Sequence, residues 1–222
     1  VSVLPTTNTG KGAHSGDVFF VNCNLRGGSA PYAQYGFNMT AGDGVWFSNG
    51  HIGSTTGSDV RLNAKSSTKC TGFMLSDTWL DFGTGSGITF TGTTPSLNGN
   101  HYVRNCKLLG GTTGSHGVDI SGSVSRIRIT DCEISDWGDS GVLIRSDSTG
   151  VVTIKDNVIR NNSMITSGGA NGITVSSTDS DVSITGNTIL GTRHAYHVNF
   201  GGSKTSMHID DNIFSSSTTS GV

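Results

Sequence analysis

Two acids and a tryptophan fall within four residues at Asp136, Trp137 and Asp139, and no other stretch of the chain brings them this close. Paired carboxyl groups cleave glycosidic bonds when one stays protonated and the other ionised, at ~5 Å apart for retention or ~6.5–9.5 Å for inversion. An indole face suits the apolar side of a sugar ring. Asp119, Asp136 and Asp139 are therefore the candidate catalytic residues, and His116, Trp137, Arg145, Arg193 and His194 the candidate binding residues. The competing reading is a solvated turn in which Asp is a turn former. No three histidines or acids share a metal-ligand spacing, so neither a metal nor another cofactor is expected.

These residues span about eighty positions and meet only if the chain is periodic, which it is. A six-residue unit, apolar-x-Asn/Asp-Cys/Asn-x-apolar, recurs as FVNCNL from Phe20, VRNCKL from Val103, ITDCEI from Ile129, IKDNVI from Ile154, ITGNTI from Ile184 and IDDNIF from Ile209. Weaker copies start at Phe47 and Leu75, so the leading residues lie 25 to 30 positions apart and mark eight coils. Two residues ahead of each leader sits another inward position, filled by Val18, Val45, Phe73, His101, Ile127, Val152, Val182 and Met207. His101 is polar there and calls for a hydrogen-bond partner.

A second alternating pair precedes each later leader, from Phe37/Met39 to Val198/Phe200. Glycine stands before five of these pairs, at Gly36, Gly87, Gly117, Gly141 and Gly172, as a corner of permissive dihedrals would require. Each coil thus has at least two strands, and no coil can bury its apolar side unless like stacks on like. Stacking puts Cys23, Gly50, Thr78, Cys106, Cys132, Asn157, Asn187 and Asn212 in one column. There asparagines can bond one another and a thiol can fill the slot without partners, so the four cysteines read as reduced.

Composition agrees: 33 glycines, 33% hydrophobic content and a single glutamate, Glu133, favour a thin strand-rich body. A formal charge of −2 with scattered Lys and Arg argues against nucleic acid, and no apolar run is long enough to insert in a membrane. Residues 1–15 read as a lead-in, 16–215 as the solenoid and 216–222 as a tail continuing into, or capped by, other structure.

The repeat and its asparagine column resemble the pectin-lyase-like superfamily of single-stranded, right-handed parallel β-helices, an all-β solenoid. The resemblance implies a polysaccharide-handling fold without choosing an activity. Polygalacturonase motifs are matched only in part by Asp210-Asp211, Ser115-His116-Gly117 and Arg126-Ile127-Arg128, and neither a pectate-lyase calcium cluster nor an alginate-epimerase signature is present. The resemblance points to bacteriophage tailspikes: a homotrimer on the virion tail or otherwise extracellular, binding bacterial capsule or lipopolysaccharide O-antigen. Cleavage by hydrolase or lyase chemistry stays open. A free secreted lyase or glycoside hydrolase is the alternative, and a non-catalytic structural or adhesive β-helix the third. An outward row on the leader strand, starting Phe19, Trp46, Met74 and Tyr102, serves either as a trimer interface or covered face, or as a sugar-stacking platform.

Overall fold

The computed structural model describes residues 2–3, 17–26, 33–64, 70–81, 83–111, 115–162, 171–191, 196–201 and 206–215. These residues form strands, bends and turns, all strand pairs being parallel, in a 14-stranded and an 8-stranded sheet. The leaders Phe20, Phe47, Leu75, Val103, Ile129, Ile154, Ile184 and Ile209 pair each with the next in register, one strand spacing apart. The expected eight coils and their stacking are therefore present.

Each coil carries a third strand as well. The second apolar residue of the repeat opens into its own sheet, in which Leu25, Ile52, Leu80, Leu108, Ile134, Ile159, Ile189 and Phe214 stack. The first and second strands are not always separate: Ile88–Arg104 and Val118–Thr130 run through the corner, which merges both columns into the larger sheet. Ser2–Val3, inside the expected lead-in, pairs with Asn38 and Met39 and adds a strand to that sheet. Arg193, His194 and the 216–222 tail lie outside the described residues.

The Asn/Asp of the repeat has a backbone reason. Asn22, Asn49, Asp77, Asn105, Asp131, Asp156 and Asp211 all sit at φ between 50° and 57°, turning the chain from second to third strand in a left-handed conformation that short polar side chains tolerate. Gly186 takes that place in the seventh coil at φ 66°.

The next column does hydrogen-bond work as cysteine, threonine and asparagine alike, Gly50 alone having no side chain to contribute. Cys106 and Cys132 Sγ donate to the carbonyl two residues back at 3.2 and 3.1 Å, as Thr78 Oγ1 does at 2.7 Å and Asn187 Nδ2 at 3.1 Å. The thiols are free, but they are not partnerless fillers; they close the same turn as the asparagines, more weakly.

The corner glycines are explained by space, not by dihedrals. Gly36, Gly87, Gly117 and Gly141 do not have positive φ. A Cβ at Gly36 would come within 2.3 Å of Ile52, at Gly117 within 2.4 Å of Ile134, and at Gly87 within 2.9 Å of the Trp137 ring. Third-strand and corner side chains fill that volume from inside.

His101 is fully buried, its ring 5.9 Å from Phe90, and neither nitrogen has a hydrogen-bond partner. Burial holds it neutral by lowering its pKa to about 4. As pH falls from 6.5 to 4 the unfolded chain takes up a proton that the folded chain refuses, so stability drops by about 3 kcal/mol across that window. His101→Phe removes this penalty and raises the urea midpoint, more at pH 4.5 than at pH 7; an equal gain at both would show that His101 does not carry the acid sensitivity.

Candidate functional site

At the predicted corner the structure gathers some of the expected residues and redirects others. Asp119 projects outward from the first strand, and Arg145 reaches it from the next coil with Nε to Oδ1 at 2.7 Å and Nη2 to Oδ2 at 2.8 Å. Both carboxylate oxygens are thereby engaged in a bidentate pair, which suits positioning better than proton transfer or nucleophilic attack. His116 is buried, with Nε2 3.9 Å from Asp139 Oδ2. Burial holds its imidazole below the usual value, while Asp139 and Asp119 pull the other way.

Trp137 is the clear correction. It is fully buried, and its Nε1 donates to the Leu108 carbonyl at 3.1 Å. Its backbone NH is held by Asn162 Oδ1 at 3.1 Å. Because Gly87, Gly110 and Gly117 have no side chains, the indole enters the corner from inside, and no sugar can lie on its face. Asp136 stands at φ 62° and makes the turn that sends Trp137 inward, so its type is explained by the backbone. What remains for chemistry at this corner is Asp139 beside His116, with Asp119 and Arg145 as a fixed polar support.

The carboxyl most displaced from its usual range is one that sequence reasoning missed. Burial pushes Asp59 up to about 8, despite a hydrogen bond from Thr55 Oγ1 at 2.9 Å. Asp59 stands in the corner column that Gly36, Gly87, Gly117, Gly141 and Gly172 fill in other coils and His197 in the last, a substitution visible in the repeat. It is 0% exposed, so its proton cannot reach a bound polymer. Asp81 is close by and buried, with Arg26 Nη2 at 3.6 Å and His51 Nε2 at 2.9 Å, though the His51 contact is off the direction a hydrogen bond needs.

The open groove lies on another face. Phe19, Trp46, Met74 and Tyr102 pair strand by strand into the outward row that was expected, continued by Arg128. Phe19 meets Trp46 edge-on at 4.5 Å between centroids, and the Arg128 guanidinium lies 5.5 Å from the Tyr102 ring. Between this row and the corner runs a groove of about 400 Å³ whose lining includes Trp46, Met74 and Tyr102 with Asp43, Thr71 and Asn100. Its floor stays low because Gly72 and Gly99 occupy the turn at φ 65° and 110°, where other residues would be strained. Thr71 Oγ1 bonds Asp43, and Arg126 Nη1 bonds Asn100 Oδ1 at 3.1 Å, so the polar rim is held in place.

Among the described residues no group of three or more His, Cys, Asp or Glu is placed to hold a metal ion, and no helix is long and apolar enough to cross a membrane.

The family model for the right handed beta helix region matches residues 7–189 and 98–222, and the chain belongs to that family. The fold accordingly is the right-handed parallel β-helix of the pectin-lyase-like superfamily. Among solved structures, the A-module of mannuronan C-5 epimerase AlgE6 from Azotobacter vinelandii is similar at 14% identity and a TM-score of 0.41, over 88% of this chain and 73% of that one. No curated protein sequence matches the chain at a significant level.

Proposed function

We propose that this chain is a polysaccharide-recognising β-helix of the tailspike kind, which binds a bacterial surface glycan in the groove along Trp46, Met74 and Tyr102. The observation that carries the reading is the composition of that groove: an aromatic and thioether floor beside fixed Asp, Thr and Asn side chains. Sugar rings need both, an apolar surface for their C–H faces and fixed donors and acceptors for their hydroxyls. Recognition is better supported than cleavage, because the Asp119 carboxylate is committed to Arg145 and the Trp137 platform is internal. On this reading the chain works outside the cell or on a virion, meeting capsule or O-antigen.

Binding of oligosaccharides from a panel of capsule and O-antigen preparations tests it. Trp46→Ala weakens the bound glycan by at least about tenfold, or about 1.4 kcal/mol, while Asp139→Asn leaves affinity unchanged. Equal affinity of Trp46→Ala and wild type would remove the groove from the reading.

A second reading has its own support. Phe19 is 55% and Val21 54% exposed, continuous with Trp46, and such a patch is also what a subunit interface presents. Homotrimerisation through these residues would give a trimer mass in light scattering, which Trp46→Asp would shift to monomer. A wild-type monomer leaves the stripe to the glycan alone.

A further inference from the structure

The third-strand face carries another aromatic site, separated from the Trp46 groove by the turn of left-handed Asn and Asp residues. Trp79 is 46% exposed and stands in register between His51 and Lys107. The His51 ring lies 5.8 Å from the indole at a 32° tilt, and Lys107 Nζ lies 5.9 Å from its centroid on the other side. A surface groove of about 330 Å³ opens beside it, bounded by Gly50, Asp77, Thr78, Asn105 and Lys107.

Its polar groups are fixed before any ligand arrives. Asp77 and Asn105 occupy the turn at φ 51° and 50°, and Asn105 Nδ2 donates to Asp77 Oδ1 at 2.6 Å. Ser76 also bonds the Asp77 side chain, and the exposed Asp77 and Asn105 bring acceptor oxygens to the groove while Lys107 brings a donor. Lys107 is itself held by Glu133, 3.7 Å away, and Glu133 by Arg160 at 2.6 Å. His51 and Lys107 cover the indole only in part, and nearly half of its surface stays exposed, whereas Trp137 is fully buried.

We infer that Trp79, Asp77, Asn105 and Lys107 form a second glycan contact, which takes a single neutral pyranose through its C–H face and two adjacent hydroxyls. The indole takes the C–H face, Asp77 and Asn105 accept from the vicinal hydroxyls, and Lys107 donates to one of their oxygens. A neutral sugar fits better than an acidic one: the Asp77 carboxylate repels a second anion, and the Lys107 charge is already offset by Glu133. The site is independent of the Trp46 groove and goes beyond it. A glycan held at both places contacts two faces of the solenoid.

The three tryptophans make the test direct. Protein labelled with 6-fluorotryptophan gives three fluorine resonances, assigned by Trp46→Phe and Trp79→Phe, with buried Trp137 as internal reference. Titration with the methyl pyranosides of glucose, mannose and galactose shifts the Trp79 resonance for at least one of them, with a Kd on the order of 1–10 mM. Asp77→Asn keeps the left-handed turn and weakens that titration about fivefold, the worth of one hydrogen bond. Trp46→Phe leaves the Trp79 titration unchanged. A Trp79 resonance that stays fixed with all three sugars, or a shift indifferent to Asp77→Asn, overturns the inference. A fixed Trp46 resonance beside a moving Trp79 counts against the Trp46 groove alone.

Discussion

Asn187→Leu lowers the unfolding free energy by about 4 kcal/mol, one of the largest single-residue losses this chain can show short of its aromatic core. Asn187 is fully buried, and its Nδ2 donates to the Ile154 carbonyl at 2.9 Å and to Asn212 Oδ1 at 2.9 Å. Its Oδ1 accepts from both the backbone NH of Asn157, at 3.0 Å, and Asn157 Nδ2, at 2.9 Å. Leucine matches its size but takes the side-chain donor from the Ile154 carbonyl and the acceptor from the Asn157 backbone NH in a low-dielectric interior, each orphaned group costing about 1–3 kcal/mol, and leaves Asn157 Nδ2 with the Ile129 carbonyl alone. Asn162→Leu, at a different column of the stack, serves as a comparison, because Asn162 bonds Trp137 N and the Ile134 carbonyl. Urea unfolding of the three proteins checks the point. An Asn187→Leu midpoint equal to wild type would show that the ladder does not support the stack.

Asp59→Asn acts in the opposite direction and depends on pH. The folded chain keeps Asp59 protonated up to about 8, whereas the unfolded chain releases the proton near 3.8. A raised carboxyl pKa contributes stability that is whole below the lower value and lost as pH climbs toward the upper one. The wild type therefore sheds on the order of 5 kcal/mol between pH 4 and pH 8 through this residue. Asparagine keeps the oxygen that accepts from Thr55 and has no proton to lose, so the variant holds its stability through that window. Its advantage over wild type is small at pH 4 and several kcal/mol at pH 8. Parallel stability curves from pH 4 to 8.5 would mean that Asp59 reaches solvent, against its 0% exposure.

These two residues show how far a periodic sequence can be read. Asn187 belongs to a column that sequence alone predicts, since a shift of one coil brings Asn157 and Asn212 to the same phase. The leader column, the inward partner two residues before it and the outward row from Phe19 to Tyr102 follow from the same arithmetic, because strand alternation assigns every residue a face. His101 was legible as a polar inward residue, but not its lack of partners: the neighbours it meets, such as Phe90, lie across the corner at the other end of the continuous Ile88–Arg104 strand.

Corners obey no such alternation. Whether Trp137 points out to a sugar or in to the core depends on Gly87 and Gly117, which belong to other coils and leave room for the ring. Trp79 has the reverse history. Its two flanking acids, Asp77 and Asp81, are nearly as close in sequence as those around Trp137, yet strand alternation turns its indole to solvent and Leu80 inward. The third strand escaped notice because three residues are too few to display a period.

The sequence by itself therefore determined the solenoid, its eight coils, the register of its stacked columns and the residues that face outward along its strands. A repeat carries that information locally, and stacking only multiplies it. The tertiary structure alone decided the fate of particular side chains: Asp119 locked to Arg145, Trp137 internal, Asp59 sealed and protonated. Each of these depends on the volume and charge left by residues a coil or more away, quantities that no single repeat contains.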